Sequence, residues 1–273
     1  MTIVPLRDAA DAALFGGKAA SLSAALRAGL PVPPGIALSS TFTARVAAGD
    51  DDALAALRAQ TFSDARLAVR SSAIGEDSSG ASFAGQHATR LNVRPADVVA
   101  AALEVWRSAH ADAALAYREK RGLPREPKMG VVVQVLVDAM TAGVLFTRHP
   151  VTDAHERVVE ASWGLGETVV SGLVTPDHYR LQPDGRLIEF VAGYKDLRLE
   201  YGPDGGTVEV EVPGPLRTLP CLQPADLLAV SALADRCETV YGADLDLEWA
   251  VSSTREVFLL QCRPITTTRA TGR

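Results

Sequence analysis

The sequence predicts an α+β chain, with its helices weighted early and its antiparallel strands weighted late. Three observations lead there. Small and apolar residues recur at helical spacing over 17–28, 41–60 and 96–121. From residue 129 the pattern switches to period two and fills with β-branched side chains. Turn signals then recur, at Pro183–Gly185 and Pro203–Gly206, as they do between hairpin strands. At 273 residues the chain is long enough for one large domain or for two lobes.

The first helix, GKAASLSAALRA at 17–28, stops at Gly29. LPVPPGIAL cannot continue it, because Pro31, Pro33 and Pro34 remove backbone donors and clash with the preceding turn. That segment delivers a short strand, Gly35–Leu38. The helical pattern at 41–60 leads to a strand at Arg66–Arg70, then to the small-residue stretch SSAIGEDSSGASFAG. Residues 96–121 read as one broken helix or two consecutive ones, closed by Gly122 and Pro124. MGVVVQVLV (129–137), AGVLFTR (142–148) and ERVVEAS (156–162) read as strands. An amphipathic helix over 224–241 precedes a terminal hairpin, LDLEWAVSSTREVFLLQCRP at 245–264. The expected division is a first lobe at 1–128, a second at 129–265 and a tail at 266–273.

Hydrophobic residues make up 47% and charged residues 22%, an ordinary globular composition. The net charge of −6 and a pI near 5.4 argue against a general nucleic-acid or anionic-membrane surface, while leaving room for a local basic pocket. Cys221, Cys237 and Cys262 are odd in number and lack a metal-like spacing, which fits reduced, buried thiols. The N-terminus has no cationic stretch followed by a long apolar run, and no window reaches the ~18 apolar residues of a membrane span. The expectation is a cytoplasmic protein with neither nucleic acid nor membrane as partner.

FGGKAASL places Gly16, Gly17 and Lys18 at a helix start, where free N–H groups and the positive helix end favour an anion. The GxxxxGK[ST] spacing is absent, and a loop entering a helix beside a solvated lysine fits the same residues. LAVRSSAIGEDSSGASFAG ends a strand in Arg70, next to hydroxyls and a glycine-bearing loop. A guanidinium can fork onto phosphate oxygens there while backbone N–H groups crowd in; a plain surface loop is the alternative. The strand end near Gln134 can offer backbone groups to an adenine edge, or can be simply a core hairpin. In ASWGLGETVVSG the dinucleotide pattern GxGxxG fails, because position 169 is valine. Lys195 fits a phosphate contact or an exposed lysine.

If the terminal hairpin turns at Thr254 and Arg255, Glu248 faces Gln261 and Asp246 faces Arg263. The other side then carries Leu247, Trp249, Val251, Phe258, Leu260 and Cys262. Directly opposed Cβ atoms lie ~5 Å apart, so Glu248 and Gln261 can share one ligand. Carboxylate plus amide oxygen suits magnesium, whose other positions go to phosphate and water. Arg263 would take a phosphate charge; a solvated polar face with an Asp246–Arg263 surface pair is the alternative. His87, His110, His149, His155 and His178 form neither a metal spacing nor a triad.

In this order, GGKAASL, LPVPPGIAL, VRSSAIGEDSSGASFAGQHATRLNV, ASWGLGETVVSGLVTPD, the GYK segment and LDLEWAV…LLQCRPITT resemble one domain over residues 16–267. It is the nucleotide-binding domain of the pyruvate phosphate dikinase and phosphoenolpyruvate synthase family, shared with rifampicin phosphotransferase. The resemblance implies a two-lobed, ATP-grasp-like fold binding ATP and Mg²⁺. It implies that Lys18 and Arg70 hold phosphates, and that the loop with Gly85 and Thr89 lies over the triphosphate. Gln134, Val135 and Leu136 would line the adenine slot between the lobes. Glu248 and Gln261 would bind Mg²⁺, with Arg263 on a phosphate.

Two departures from the family pattern stand out. The segment between Leu38 and Arg70 is shorter than usual. Family enzymes also continue into a swivelling domain with a phosphorylated histidine and into a substrate domain, neither of which lies within these 273 residues. The leading expectation is therefore a phosphotransferase domain or subunit passing a phosphoryl or pyrophosphoryl group to a histidine on a separate partner, leaving AMP and phosphate. Lys18, Arg70 and Arg263 would stabilise the transferring group. A direct small-molecule kinase, a non-catalytic nucleotide sensor and a domain excised from a longer enzyme are the alternatives.

Overall fold

In the computed structural model, residues 2–60, 62, 65–75, 88–120, 124 and 126–265 are described. The chain forms two units, Met1–Leu136 with Tyr201–Val208, and Val137–Glu200 with Glu209–Arg273. The first runs β1 (Ile3–Pro5), α1 (Ala12–Phe15), α2 (Gly17–Arg27), β2 (Gly35–Leu38), α3 (Ser40–Ala47), α4 (Asp51–Arg58), β3 (Leu67–Ala73), β4 (Thr89–Val93), α5 (Val98–Ala109), α6 (Asp112–Lys120) and β5 (Met129–Val135). Its strands form one antiparallel sheet in the order β1-β2-β5-β3-β4.

Local chemistry explains most of these boundaries. The helical pattern over 41–60 breaks at Gly49, which takes φ 78. α4 restarts from Asp50, whose carboxylate accepts the N–H of Ala53 at 3.0 Å. β3 runs past Arg70 through Ser71, Ser72 and Ala73, residues the sequence reads as loop. Pairing with the full length of β5 holds them extended, with Ser72 opposite Gly130. β5, which the sequence groups with the later strands, lies centrally in this first sheet. One sheet face packs against helices through Leu38, Phe42, Leu67, Val69, Val105 and Val133.

The second unit contains β6 (Ala139–Phe146), β7 (Arg157–Trp163), α7 (Glu167–Val170), β8 (Asp177–Leu181), β9 (Leu187–Val191), most of β10 (Leu197–Tyr201) and β11 (Thr207–Glu211), α8 (Pro224–Tyr241), β12 (Leu245–Ser252) and β13 (Val257–Pro264). Six strands form an antiparallel sheet, β13-β12-β6-β7-β8-β9. One face carries Leu245, Leu247, Trp249 and Val251, all buried. α8 is tied to that face: Arg157 of β7 donates to the Ser231 carbonyl at 2.8 Å and reaches Asp235 and Glu238. The separate β10–β11 ribbon has its tip in the first unit, where Asn92 Nδ2 donates to the Gly202 and Gly206 carbonyls at 2.8 and 2.7 Å.

The terminal hairpin corrects one expectation. Ser253, Thr254 and Arg255 connect the strands, with Arg255 left-handed at φ 65 and Ser252 N–H donating to the Glu256 carbonyl at 2.9 Å. Near this three-residue turn Trp249 therefore faces Leu259, and Ala250 faces Phe258. A bulge at Leu260 then shifts the register, so that Glu248 faces Gln261 and Asp246 faces Arg263. Val257 and Leu259 replace Phe258 and Leu260 on the apolar side. Cys221, Cys237 and Cys262 are buried and form no disulfide, and among the described residues no helix is long and apolar enough to cross a membrane.

Candidate functional site

In the first unit the candidate residues gather on the sheet face opposite the helix-packed core. Cross-strand register sets Arg70 beside Thr89 and Val132, and Ala68 beside Gln134, so Arg70, Thr89 and Gln134 share that face. α2 butts against its Ser72 end, where Ala19 N–H donates to Ser72 Oγ at 3.0 Å. Ser72 thus supplies from a neighbouring strand the cap that α2 lacks at its own start, where Gly16 has no side chain. Gly16 is required twice: it takes φ 85, and a Cβ there would lie 2.0 Å from the Ser72 carbonyl oxygen. The packing fixes Lys18, one residue before Ala19, close to the end of β3.

Other groups in this unit are already committed. Gln134 is 2% exposed and donates its amide to the Pro33 carbonyl at 2.9 Å. Val135 and Leu136 donate their N–H groups to Pro34 and Arg66 carbonyls at 2.9 and 2.8 Å. These donors hold the strand end in the fold. Gly85 lies outside the described residues.

In the second unit the face away from α8 mixes apolar residues such as Val144 and Phe146 with a set of polar pairs. Glu248 sits opposite Gln261 on β13 and opposite Val144 on β6. One step along, Arg263 Nε donates to Asp246 Oδ2 at 2.8 Å. Burial pushes the Asp246 carboxyl above the usual aspartate range, against the charge and hydrogen bond of Arg263. The directly opposed carboxylate and amide are a hard-oxygen set that fits Mg²⁺ and leaves most of its positions to phosphate and water. Among the described residues, no three His, Cys, Asp or Glu side chains cluster as metal ligands.

Lys195 is placed elsewhere. Its side chain is 0% exposed and its ammonium meets Asp177 at 2.5 Å. Asp177 also accepts the N–H groups of Gly193 at 2.9 Å and Cys221 at 2.8 Å. An enclosed, paired ammonium has no surface to offer a phosphate, so Lys195 is neither the phosphate contact nor the exposed lysine the sequence suggests. Conversely, the capping role of Ser72 escapes sequence reading; the hydroxyls after Arg70 are its only trace.

A family model described as the pyruvate phosphate dikinase AMP/ATP-binding domain matches residues 38–273. The chain belongs to that family. This dikinase-family domain is 36% identical, over 94% of its length, to a probable phosphoenolpyruvate synthase of Methanothermobacter thermautotrophicus, covering 44% of that protein. It is 38% identical, over 93%, to the prodigiosin synthesizing transferase PigC of Serratia marcescens, covering 32%. An uncharacterized phosphotransferase of Bacillus subtilis, YvkC, is 34% identical over 93% of the chain, with 34% of its own length covered. The dikinase-family domain thus spans less than half the length of each of these relatives. Among solved structures, PH1788 from Pyrococcus horikoshii superposes at TM-score 0.46 with 12% identity, covering 91% of this chain and 89% of that one. D-alanine–D-alanine ligase from Helicobacter pylori superposes at 0.43 with 13% identity, covering 93% and 55%. Superpositions this loose leave the architecture resting on the strand orders above.

Proposed function

We propose that this domain is a phosphotransferase with an ATP-grasp-like fold, which binds Mg-ATP and passes a phosphoryl or pyrophosphoryl group to a histidine on a separate protein, with AMP and phosphate as the outcome. The observation that carries this reading is the pairing of Glu248 with Gln261 on the sheet face away from α8, in a chain of this family. Glu248 and Gln261 would hold magnesium, which would screen the phosphate oxygens against one another. Arg263 lies on the same face, one pair along from Gln261. Lys18 and Arg70, with Thr89 beside Arg70, would hold phosphates. Gly85 is assigned to the triphosphate, and the strand end at Gln134, Val135 and Leu136 to adenine through groups other than the committed donors. Such chemistry is positioning and charge neutralisation more than covalent work. Three buried thiols outside any disulfide fit a cytoplasmic setting.

The test incubates the chain with β- or γ-labelled ATP and a candidate histidine-bearing partner, then locates the label by mass spectrometry. Label on the partner's histidine is expected, and Glu248→Ala should slow its appearance ~10²–10³-fold without unfolding the chain. Full transfer by both Glu248→Ala and Arg70→Ala would refute the site assignment. A second reading, direct transfer to a small molecule, is favoured by the 38% identity to a transferase named for prodigiosin synthesis. Steady ATP consumption with a small acceptor and no partner protein would decide for it.

A further inference from the structure

On the six-stranded sheet, the row that begins Gln261–Glu248–Val144 does not end at Val144. Register continues it to Glu160 on β7 and His178 on β8, all on the face away from α8. His178 Nδ1 and Glu160 Oε1 are 3.7 Å apart, with side chains 33% and 38% exposed. Other charged groups on this face are bonded: Arg180 donates to Glu156 and Glu189, and Arg263 to Asp246. Neither Glu160 nor His178 makes a side-chain hydrogen bond among the described residues; each meets only the other.

We infer that Glu160 and His178 form the acceptor end of the site, receiving the imidazole of the histidine that takes the phosphoryl group. The inference rests on the proposed function and deepens it. Two strand spacings separate the Glu248 backbone from that of Glu160, roughly 10 Å. Val144, half-buried between them, offers an apolar seat for a flat ring. A neutral imidazole seated there presents its N–H edge to the Glu160 carboxylate and its lone-pair nitrogen toward the phosphates. In the transfer that lone pair forms the N–P bond. The bridging P–O bond breaks, its electron pair leaving on the departing nucleotide's phosphate oxygen. The proton on the ring's other nitrogen passes to Glu160. His178 flanks the seat, and its ring reports on what enters it.

The experiment uses the chain with isotope-labelled histidine, the His178 ring signal being identified by its loss in His178→Gln. Binding of Mg²⁺ with a non-hydrolysable ATP analogue is measured first by calorimetry, and imidazole is then titrated into the loaded protein at mildly alkaline pH. The expected result is a saturable shift of the His178 signal, weakened about tenfold in Glu160→Gln while analogue affinity stays unchanged. Glu160→Asp, which shortens the carboxylate's reach, serves if Glu160→Gln does not fold. Failure of the analogue to bind overturns the proposed function and this inference with it. If the analogue binds but His178 ignores imidazole, the inference alone is overturned. It is also overturned alone if Glu160→Gln weakens analogue binding itself, which would assign the pair to the nucleotide.

Discussion

Asp177 and Asp246 stand on opposite faces of one antiparallel sheet, each beside a basic side chain. Asp177 lies on the α8 side, opposite Ala161, with both it and Lys195 wholly enclosed. Asp246 lies on the polar side, and its partner Arg263 keeps a side-chain exposure of 32%. The first carboxylate also accepts from Gly193, Cys221 and the Tyr179 hydroxyl, so the pair locks two loops onto β8. It also raises the Cys221 thiol well above its ordinary range, after burial as the larger cause. The second pair lies on the same face as Glu248 and Gln261, and its arginine keeps part of its side chain in solvent. Acid–base pairing alone therefore does not distinguish a strut from a binding group. Coverage of the surrounding face decides which one a pair becomes.

The largest expected effect breaks the enclosed pair. Lys195→Met leaves the Asp177 carboxylate buried without a counter-charge and should cost about 3–5 kcal/mol in urea denaturation. Adding Asp177→Asn should recover much of that loss, because no charge is then left buried. Nucleotide affinity per folded molecule should not change. A stable Lys195→Met protein with weakened ATP binding would return the lysine to the phosphate set. Next in size, Arg263→Ala should slow phosphotransfer ~10²–10³-fold while moving the denaturation midpoint far less than Lys195→Met does. If the midpoint falls and transfer per folded molecule holds, Arg263 is a strut as well, and the contrast between the two faces disappears.

The same contrast shows what the sequence could reveal. Period-two alternation in LDLEWAV gives the faces of β12, whereas the opposition of Glu248 to Gln261 and Asp246 to Arg263 is inferred from a turn at Thr254 and Arg255 that the hairpin does not make, and holds only because the bulge restores that register. The compensation between a three-residue turn and the Leu260 bulge was hidden, since a bulge leaves no compositional mark when its residue is one leucine among several. β3 extends beyond the strand its sequence suggests, because serine and alanine have weak strand preference and pairing with β5 overrides it. The enclosure of Lys195 leaves no local mark, because it depends on segments far apart in sequence, the loops at Gly193 and Cys221 closing around Asp177. The Glu160–His178 neighbourhood needed the β7–β8 register, which no local pattern supplies.

The smallest expected effect comes from a third pairing, on the polar face but at its rim. Arg180 donates to Glu156 at 2.9 Å and to Glu189 at 2.6 Å, with its own side chain 31% exposed. Its hydrogen bond holds the Glu156 carboxyl below the ordinary glutamate range, with its charge adding to the effect. A carboxylate lowered in the folded state lends stability above its unfolded value, and that stability is lost as pH falls through the folded value. Arg180→Ala should therefore show a slight loss of stability at neutral pH and low salt. The gap to wild type should narrow in high salt and close in acid, once Glu156 is protonated in both proteins. Denaturation midpoints across a pH series check this directly. A gap that persists in acid would show that Arg180 acts through its packed stem, so that charge pairing explains nothing at the rim of this face.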